Sequence, residues 1–360
     1  MERNIDQELL DLASSALVFT DILIQSDKPV MLRTPKGWED APHFDPLFSE
    51  DIHQLMDLVD REWRVKIASH AISRAINLSS CRLRINAFRI NGGTEFGISI
   101  RRQPLKPPSL QEIGVPLFVR KKVEEGKGLI IVTGQTGSGK TTTLASMLQY
   151  INTTRSAHII TIEDPIEYVH DRDQAIFSQK EVPTDVSSFA EGLYDALRQK
   201  PDVILVGEIR DKEAADVAML AAESGHLVLA SMHTNSAVGA INKLLNWFPA
   251  EVTQRSKMLA DSLLMVLCQS LIPAIDGESY VLANEALVNS GVQTANMLAD
   301  PAKHSQLNDF MKRGTDQMSQ ALNKDLVRLV REKKISPAEA MKATNNKIEL
   351  NEQLGAMVPR

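Results

Sequence analysis

The 360-residue chain has only two cysteines, Cys81 and Cys268, and no Cys-x-x-Cys pair. That scarcity excludes a disulfide framework and a cysteine zinc ribbon. Long apolar runs are missing too. Segments such as Leu129–Val132, Val203–Val206 and Leu263–Cys268 are core-sized, far short of the ~18 residues a membrane span needs. The start, Met1-Glu2-Arg3-Asn4-Ile5-Asp6, is polar and is no secretory signal. Aromatic residues make up 5% of the chain and the net charge is −6. No nucleic-acid partner is expected from so few stacking rings and so little excess positive charge. A Gly-x-Gly-x-x-Gly fingerprint with its downstream acid is absent, which removes a dinucleotide site. What remains is ordinary globular composition, 43% apolar and 24% charged, of a length that suggests two domains in a reduced, cytoplasmic protein.

The first hundred residues suggest a small α+β domain, 1–102. Helical spacing of apolar residues predicts helices over 7–18 and 49–68. Asp21–Ile24 and Val30–Arg33 are expected to be short strands. Arg82-Leu83-Arg84-Ile85-Asn86-Ala87-Phe88 alternates with period two, Asn91-Gly92-Gly93 offers turn residues, and Phe96–Arg101 returns as the hairpin partner. Pro104, Pro107 and Pro108 mark a stiff linker over 103–115, where Ser109 and Glu112 fit a capping box. From 116 to about 345, apolar strands alternate with helices, which implies a parallel sheet covered on both faces. After Pro249 the chain is expected to be mostly helical, with a loosely held polar tail over 346–360.

Gly134-Gln135-Thr136-Gly137-Ser138-Gly139-Lys140-Thr141 fits the phosphate-loop pattern and sits between an apolar strand and a good helix. Gly134, Gly137 and Gly139, with the backbone at Thr136 and Ser138, can wrap phosphates. The helix start at Thr141 and Thr142 adds partial positive charge. Lys140 can reach the β- and γ-phosphates of ATP, and the Thr141 hydroxyl can take Mg²⁺. Two acidic clusters follow strand ends, Glu163–Glu167 and Gly207–Asp211, where ligands of such sheets sit. One carboxylate is needed to hold the metal and one to activate water. Glu208 is assigned to the metal and Glu163 to the water, although sequence alone permits the exchange. His233 ends the fourth strand, where a neutral imidazole can donate to a γ-phosphate. His226, which opens that strand, reads as structural.

Residues 82–127 carry a net +6 against −12 for the rest. Arg82 and Arg84 share one strand face and Arg101 lies on the hairpin partner. Stacked arginines repel unless something anionic meets them, and the phosphates of a neighbouring subunit's ATP would serve.

Gly134–Thr143, Thr161–Val169, Val203–Arg210 and Ser224–Thr234 together resemble the Walker A, Asp box, Walker B and His box of the type II/IV secretion ATPases. Within that family the chain is most similar to the pilus-retraction, or twitching-motility, group. The resemblance implies an α/β fold: a RecA-like P-loop domain preceded by a PAS-like N-terminal domain, with ATP between them. It further implies a homo-hexamer, with Arg82, Arg84 and Arg101 matching the arginines that reach nucleotide. The remaining implied parts are hydrolysis-driven retraction of a type IV pilus, an inner-membrane platform protein as partner, peripheral membrane association through it, and a paralogous retraction ATPase. The Ala-Ile-Arg signature of the principal motor is not readable near Asn289–Gln293, which favours an accessory motor or a specialised pilus system. An ATPase of type IV secretion or conjugation is the alternative within the family. A low-turnover, nucleotide-gated ring is the alternative outside enzymes.

Overall fold

A computed structural model describes residues 4–355. The chain forms two compact units, one of residues through Leu105 with Asp276–Tyr280, the other of the remainder.

The first unit is built on β1 (Asp21–Gln25), β2 (Met31–Thr34), β3 (Gly37–Asp40), β4 (Ile72–Asn77), β5 (Cys81–Ile90) and β6 (Glu95–Pro104). They form an antiparallel sheet in the order β3-β2-β1-β6-β5-β4. The alternation of β5 does what period two demands. Leu83, Ile85 and Ala87 enter the core, and Arg82, Arg84 and Asn86 take the other face. Asn91, Gly92 and Gly93 all take positive φ to turn the hairpin.

Three boundaries differ from expectation. The first helix, Ile5–Ser14, stops short of Val18. Arg102 holds the chain after it open by donating to the carbonyls of Ala13, Ser15, Leu17 and Phe19. The helix expected over 49–68 breaks after Val59. Asp60 turns extended there, and its carboxylate collects Lys66 at 2.9 Å, Arg74 at 2.6 Å and the Glu62 amide at 2.9 Å. Gln103 and Pro104, placed in the linker, are instead strand residues opposite Arg82 and Cys81.

The second unit carries β7 (Gly128–Gly134), β8 (His158–Glu163), β9 (Ile176–Glu181), β10 (Val203–Val206), β11 (Leu227–Met232), β12 (Leu263–Pro273) and β13 (Tyr280–Val288). The sheet order is β13-β12-β7-β11-β10-β8-β9, and the pairs from β12 through β9 are parallel. Both faces are covered, and the strands show it residue by residue. Leu129 and Ile131 of β7 join one core with Ile160, Ile204 and Val228, while Ile130 and Val132 join the opposite core with Ile159, Leu205 and Leu229. Helices 189–196, 212–223 and 237–246 supply the first core, and the helix after the phosphate loop supplies the second. This double burial is why the strands read as unbroken apolar runs.

The mostly helical C-terminal region expected after Pro249 is corrected by two long strands, β12 and β13. The tail expected over 346–360 is corrected in part. Lys347–Gly355 is a helix whose Leu350 is fully buried against a satellite core with Leu326, Leu329 and Ala340. Residues 356–360 of that tail, like the opening Met1-Glu2-Arg3, lie outside the described residues. Cys81 and Cys268 are free and buried. Among the described residues no helix is long and apolar enough to cross a membrane.

Candidate functional site

The phosphate loop leaves β7 and enters the helix Lys140–Thr154 through Gly139, which caps it with φ +85°. Gln135, Thr136 and Gly137 form an exposed tip, and Gly134, Ser138 and Lys140 are buried. Gly134 has no room for a side chain. A Cβ there would run into the Gln269 carbonyl of β12 and sit 2.5 Å from Ser138 Oγ. That hydroxyl is buried without a protein partner. Lys140 Nζ folds onto its own loop, donating to the carbonyls of Gly134 at 3.0 Å and Gln135 at 2.9 Å. Burial pulls its ammonium below the usual lysine range, and Glu208 opposes that pull. Thr141 and Thr142 lie half-buried on the first helical turn, with Thr142 Oγ1 3.3 Å from the Tyr168 hydroxyl.

The sheet order sets the next three groups in a row. β11 adjoins β7 and ends one residue before His233, β10 follows and ends two residues before Glu208, and β8 follows and ends at Glu163. Thr133 and Thr234 tie the ends of β7 and β11 together, the Thr234 amide donating to Thr133 Oγ1 at 2.9 Å. His233 Nδ1 lies 3.4 Å from Lys140 Nζ and its Nε2 lies 3.4 Å from Glu208 Oε1. Burial, then the Lys140 charge, lowers the imidazole below its ordinary range, so it is neutral near pH 7. Neutral His233 satisfies both neighbours in one tautomer, Nδ1 accepting from Lys140 and Nε2–H donating to Glu208. Glu208 also accepts from Arg210 at 2.6 Å, and Arg210 reaches Asp164 at 3.0 Å.

Glu163 is 6% exposed, and burial drives its carboxyl up to about 7. The amide of Gln179 on β9 faces its Oε1 at 3.5 Å. His226 is a structural residue, its ring held by the Ala221 carbonyl and Ser224.

Arg82, Arg84 and Arg101 belong to the first unit, away in sequence from every group above. Arg84 and Arg101 are direct cross-strand neighbours, and Arg82 pairs with Gln103. Asp21 of β1 gives Arg101 an anionic neighbour within its own sheet, at 2.9 Å. Sequence reasoning missed Arg210, Gln179 and Gln269. Arg210 was legible as a cation two residues beyond Glu208. Gln179 and Gln269 sit on strands that the pattern did not reveal. Gln269 pairs with Gly134 across β12 and β7 and donates to Thr143 at 2.8 Å.

A parallel sheet, a glycine loop opening a helix with an inward lysine, and acids at neighbouring strand ends define a P-loop nucleotide-binding domain. The Type II/IV secretion system protein family model matches residues 70–356. Over 267 residues the chain is 40% identical to a twitching motility protein of Neisseria gonorrhoeae, an alignment spanning 74% of this chain and 70% of that relative. Over 210 residues it is 44% identical to the type IV pilus retraction ATPase PilT of Pseudomonas aeruginosa, spanning 58% of this chain and 60% of the relative. A crystal structure of the pilus retraction motor PilT with bound ADP matches with a TM-score of 0.82 at 34% identity, covering 98% of this chain and all of that one. The chain belongs to the type II/IV secretion system protein family.

Proposed function

We propose that this chain is an ATP hydrolase that powers retraction of a type IV pilus, the movement behind twitching. The row Lys140, His233, Glu208 and Glu163 at the ends of four adjacent parallel strands carries the enzymatic part. Its kinship with pilus-retraction proteins carries the cellular part.

The loop from Gly134 to Thr142 receives the ATP phosphates on its amides, with Gly134, Thr136, Gly137, Ser138 and Gly139 forming the cradle. The buried, unpartnered Ser138 hydroxyl and the Gly134 position closed to any Cβ fit that use. Lys140 exchanges loop carbonyls for phosphate oxygens. Water attacks the γ-phosphorus, its proton passes to Glu163, and the bond to the ADP oxygen breaks. A base whose carboxyl titrates near neutrality suits that transfer. Neutral His233 couples Lys140 to Glu208, so loss of the γ-phosphate is felt at both. Mg²⁺ fits the hard oxygen donors present, the Thr141 hydroxyl and the Glu208 carboxylate, and when bound would neutralise phosphate charge.

The working form is a cytoplasmic ring of six copies, in which Arg82, Arg84 and Arg101 of one subunit meet nucleotide on the next. Domain motion in that ring is passed to an inner-membrane platform protein, alongside a related second ATPase. Kinship with retraction motors supports these assignments. Phosphate release by Lys140→Ala and Glu208→Gln tests the site. Both are expected to lose at least about a hundred-fold in kcat. Full activity in either overturns the assignment, and normal twitching in a cell lacking the gene overturns the pilus role.

A further inference from the structure

The strand β9 lies at the edge of the sheet beside β8, and nothing in the proposed chemistry uses it. Its side chains nevertheless converge on one target. Phe177, Gln179 and Glu181 alternate along the strand and so share a face. All three grip the loop that leaves Glu163. Phe177 stacks on His170 with ring centroids 4.6 Å apart and planes 2° from parallel. Glu181 accepts from the Ile166 amide at 3.1 Å. Gln179 uses both ends of its amide, donating to the Tyr168 carbonyl at 2.8 Å and accepting from the His170 amide at 3.0 Å. Those two bonds fix which way the amide points, and its donor nitrogen then faces Glu163 Oε1 at 3.5 Å.

We propose that Gln179 is a positioning residue for Glu163, holding the carboxylate toward the reacting water while β9 clamps the loop of residues 164–170. The inference rests on Glu163 being the water-activating group. The contact at 3.5 Å is long for a neutral hydrogen bond and is the kind that tightens when the acceptor carries charge. The primary amide is suited to the place. It gives Glu163 a donor without a cation, so the carboxylate is oriented yet keeps its proton affinity near neutrality. The same loop reaches the phosphate-loop helix through Tyr168 and Thr142. The clamp therefore links the element that grips nucleotide to the group that uses it.

The test is the pH dependence of kcat, measured on the full chain with ATP and Mg²⁺ for Gln179→Leu, Gln179→Glu and Glu163→Gln. Gln179→Leu removes the donor and is expected to lower kcat on the order of ten-fold to a hundred-fold, since small misplacements of a reacting group cost that much. KM for ATP and the affinity for ADP stay near wild type, and the acid limb of the kcat profile moves to higher pH. Gln179→Glu keeps the acceptor for the His170 amide but sets a second carboxyl beside Glu163, so its acid limb moves further in the same direction. Should Gln179→Leu fail to fold, the Glu variant alone decides. Profiles that overlay wild type in the folded variants overturn the positioning role, provided Glu163→Gln is inactive. Full activity in Glu163→Gln instead removes the base assignment on which the inference rests.

Discussion

A carboxyl group at the end of a buried strand must choose between its proton and its hydration. Glu163 has lost most of the hydration, so its pKa rises from 4.5 to about 7. The consequence for stability has a definite sign. Below about pH 4.5 the folded and unfolded forms both hold the proton, and burial costs nothing. Between pH 4.5 and 7 the unfolded chain ionises first, so folding loses stability as pH rises, and above 7 the deficit is constant. Its full size is about 3 kcal/mol at 1.36 kcal/mol per unit. Glu163→Gln is therefore expected to be more stable than wild type at pH 8 by a large part of that amount, with the difference vanishing near pH 4.5. Urea unfolding at the two pH values measures it. The same substitution is expected to cut kcat by about a hundred-fold or more. A variant both more stable and inactive is the mark of a group held in place for chemistry at a cost to folding.

At the scale of elements, one tight junction is where β7 hands the chain to the phosphate loop against β12. Gly134→Ala is expected to destabilise the fold by about 1–3 kcal/mol, because the new methyl meets a backbone carbonyl rather than a yielding side chain. Gly137→Ala, at φ +81° with open space around it, is expected to cost about 1 kcal/mol from backbone strain alone. Thermal melts of the two variants make the comparison, and equal losses would deny the Gly134 contact its importance. In the first unit β1, β2 and the β5–β6 hairpin were legible, the hairpin from its period-two alternation; in the second the legible strands were those buried on both faces, β7, β8, β10 and β11, because continuous apolar runs between turn signals have few other meanings. β9 was not legible. Ile176-Phe177-Ser178-Gln179-Lys180-Glu181 lies at a sheet edge, half exposed, so its sequence carries polar residues where a core strand would not. β12 and β13 failed for a different reason. Leu263-Leu264-Met265-Val266-Leu267-Cys268 suits a buried helix as well as a strand, and Tyr280–Val288 contains Leu, Ala and Glu, which favour helix when judged locally. The phosphate loop, Glu163, Glu208 and His233 were legible because each abuts a legible strand. Gln179 and Gln269 were hidden with the strands that carry them.

At the scale of the whole molecule, the phosphate loop and the three arginines occupy separate compact units, so whether one site uses both is decided by experiments on mixed copies. Arg101 bonds Asp21 within its own sheet, so its removal would break that pair as well, and Arg82 and Arg84 of β5 are the two removed. Two variants then divide the labour. Lys140→Ala keeps the arginines and loses the nucleotide grip, while the double variant Arg82→Ala/Arg84→Ala keeps the grip and loses the arginines. Each is expected to be inactive alone. If the arginines serve a neighbour's nucleotide, co-assembly at equal amounts gives about a quarter of the subunit junctions one good loop facing one good arginine pair, and ATPase activity returns toward that fraction. If they serve their own chain, every junction lacks one part and the mixture stays inactive. Dilution distinguishes the cases again, since an active site shared between copies loses specific activity as the assembly dissociates. Mixed activity that appears and then falls on dilution requires a shared site, and its absence denies the arginines a role at a neighbour's nucleotide.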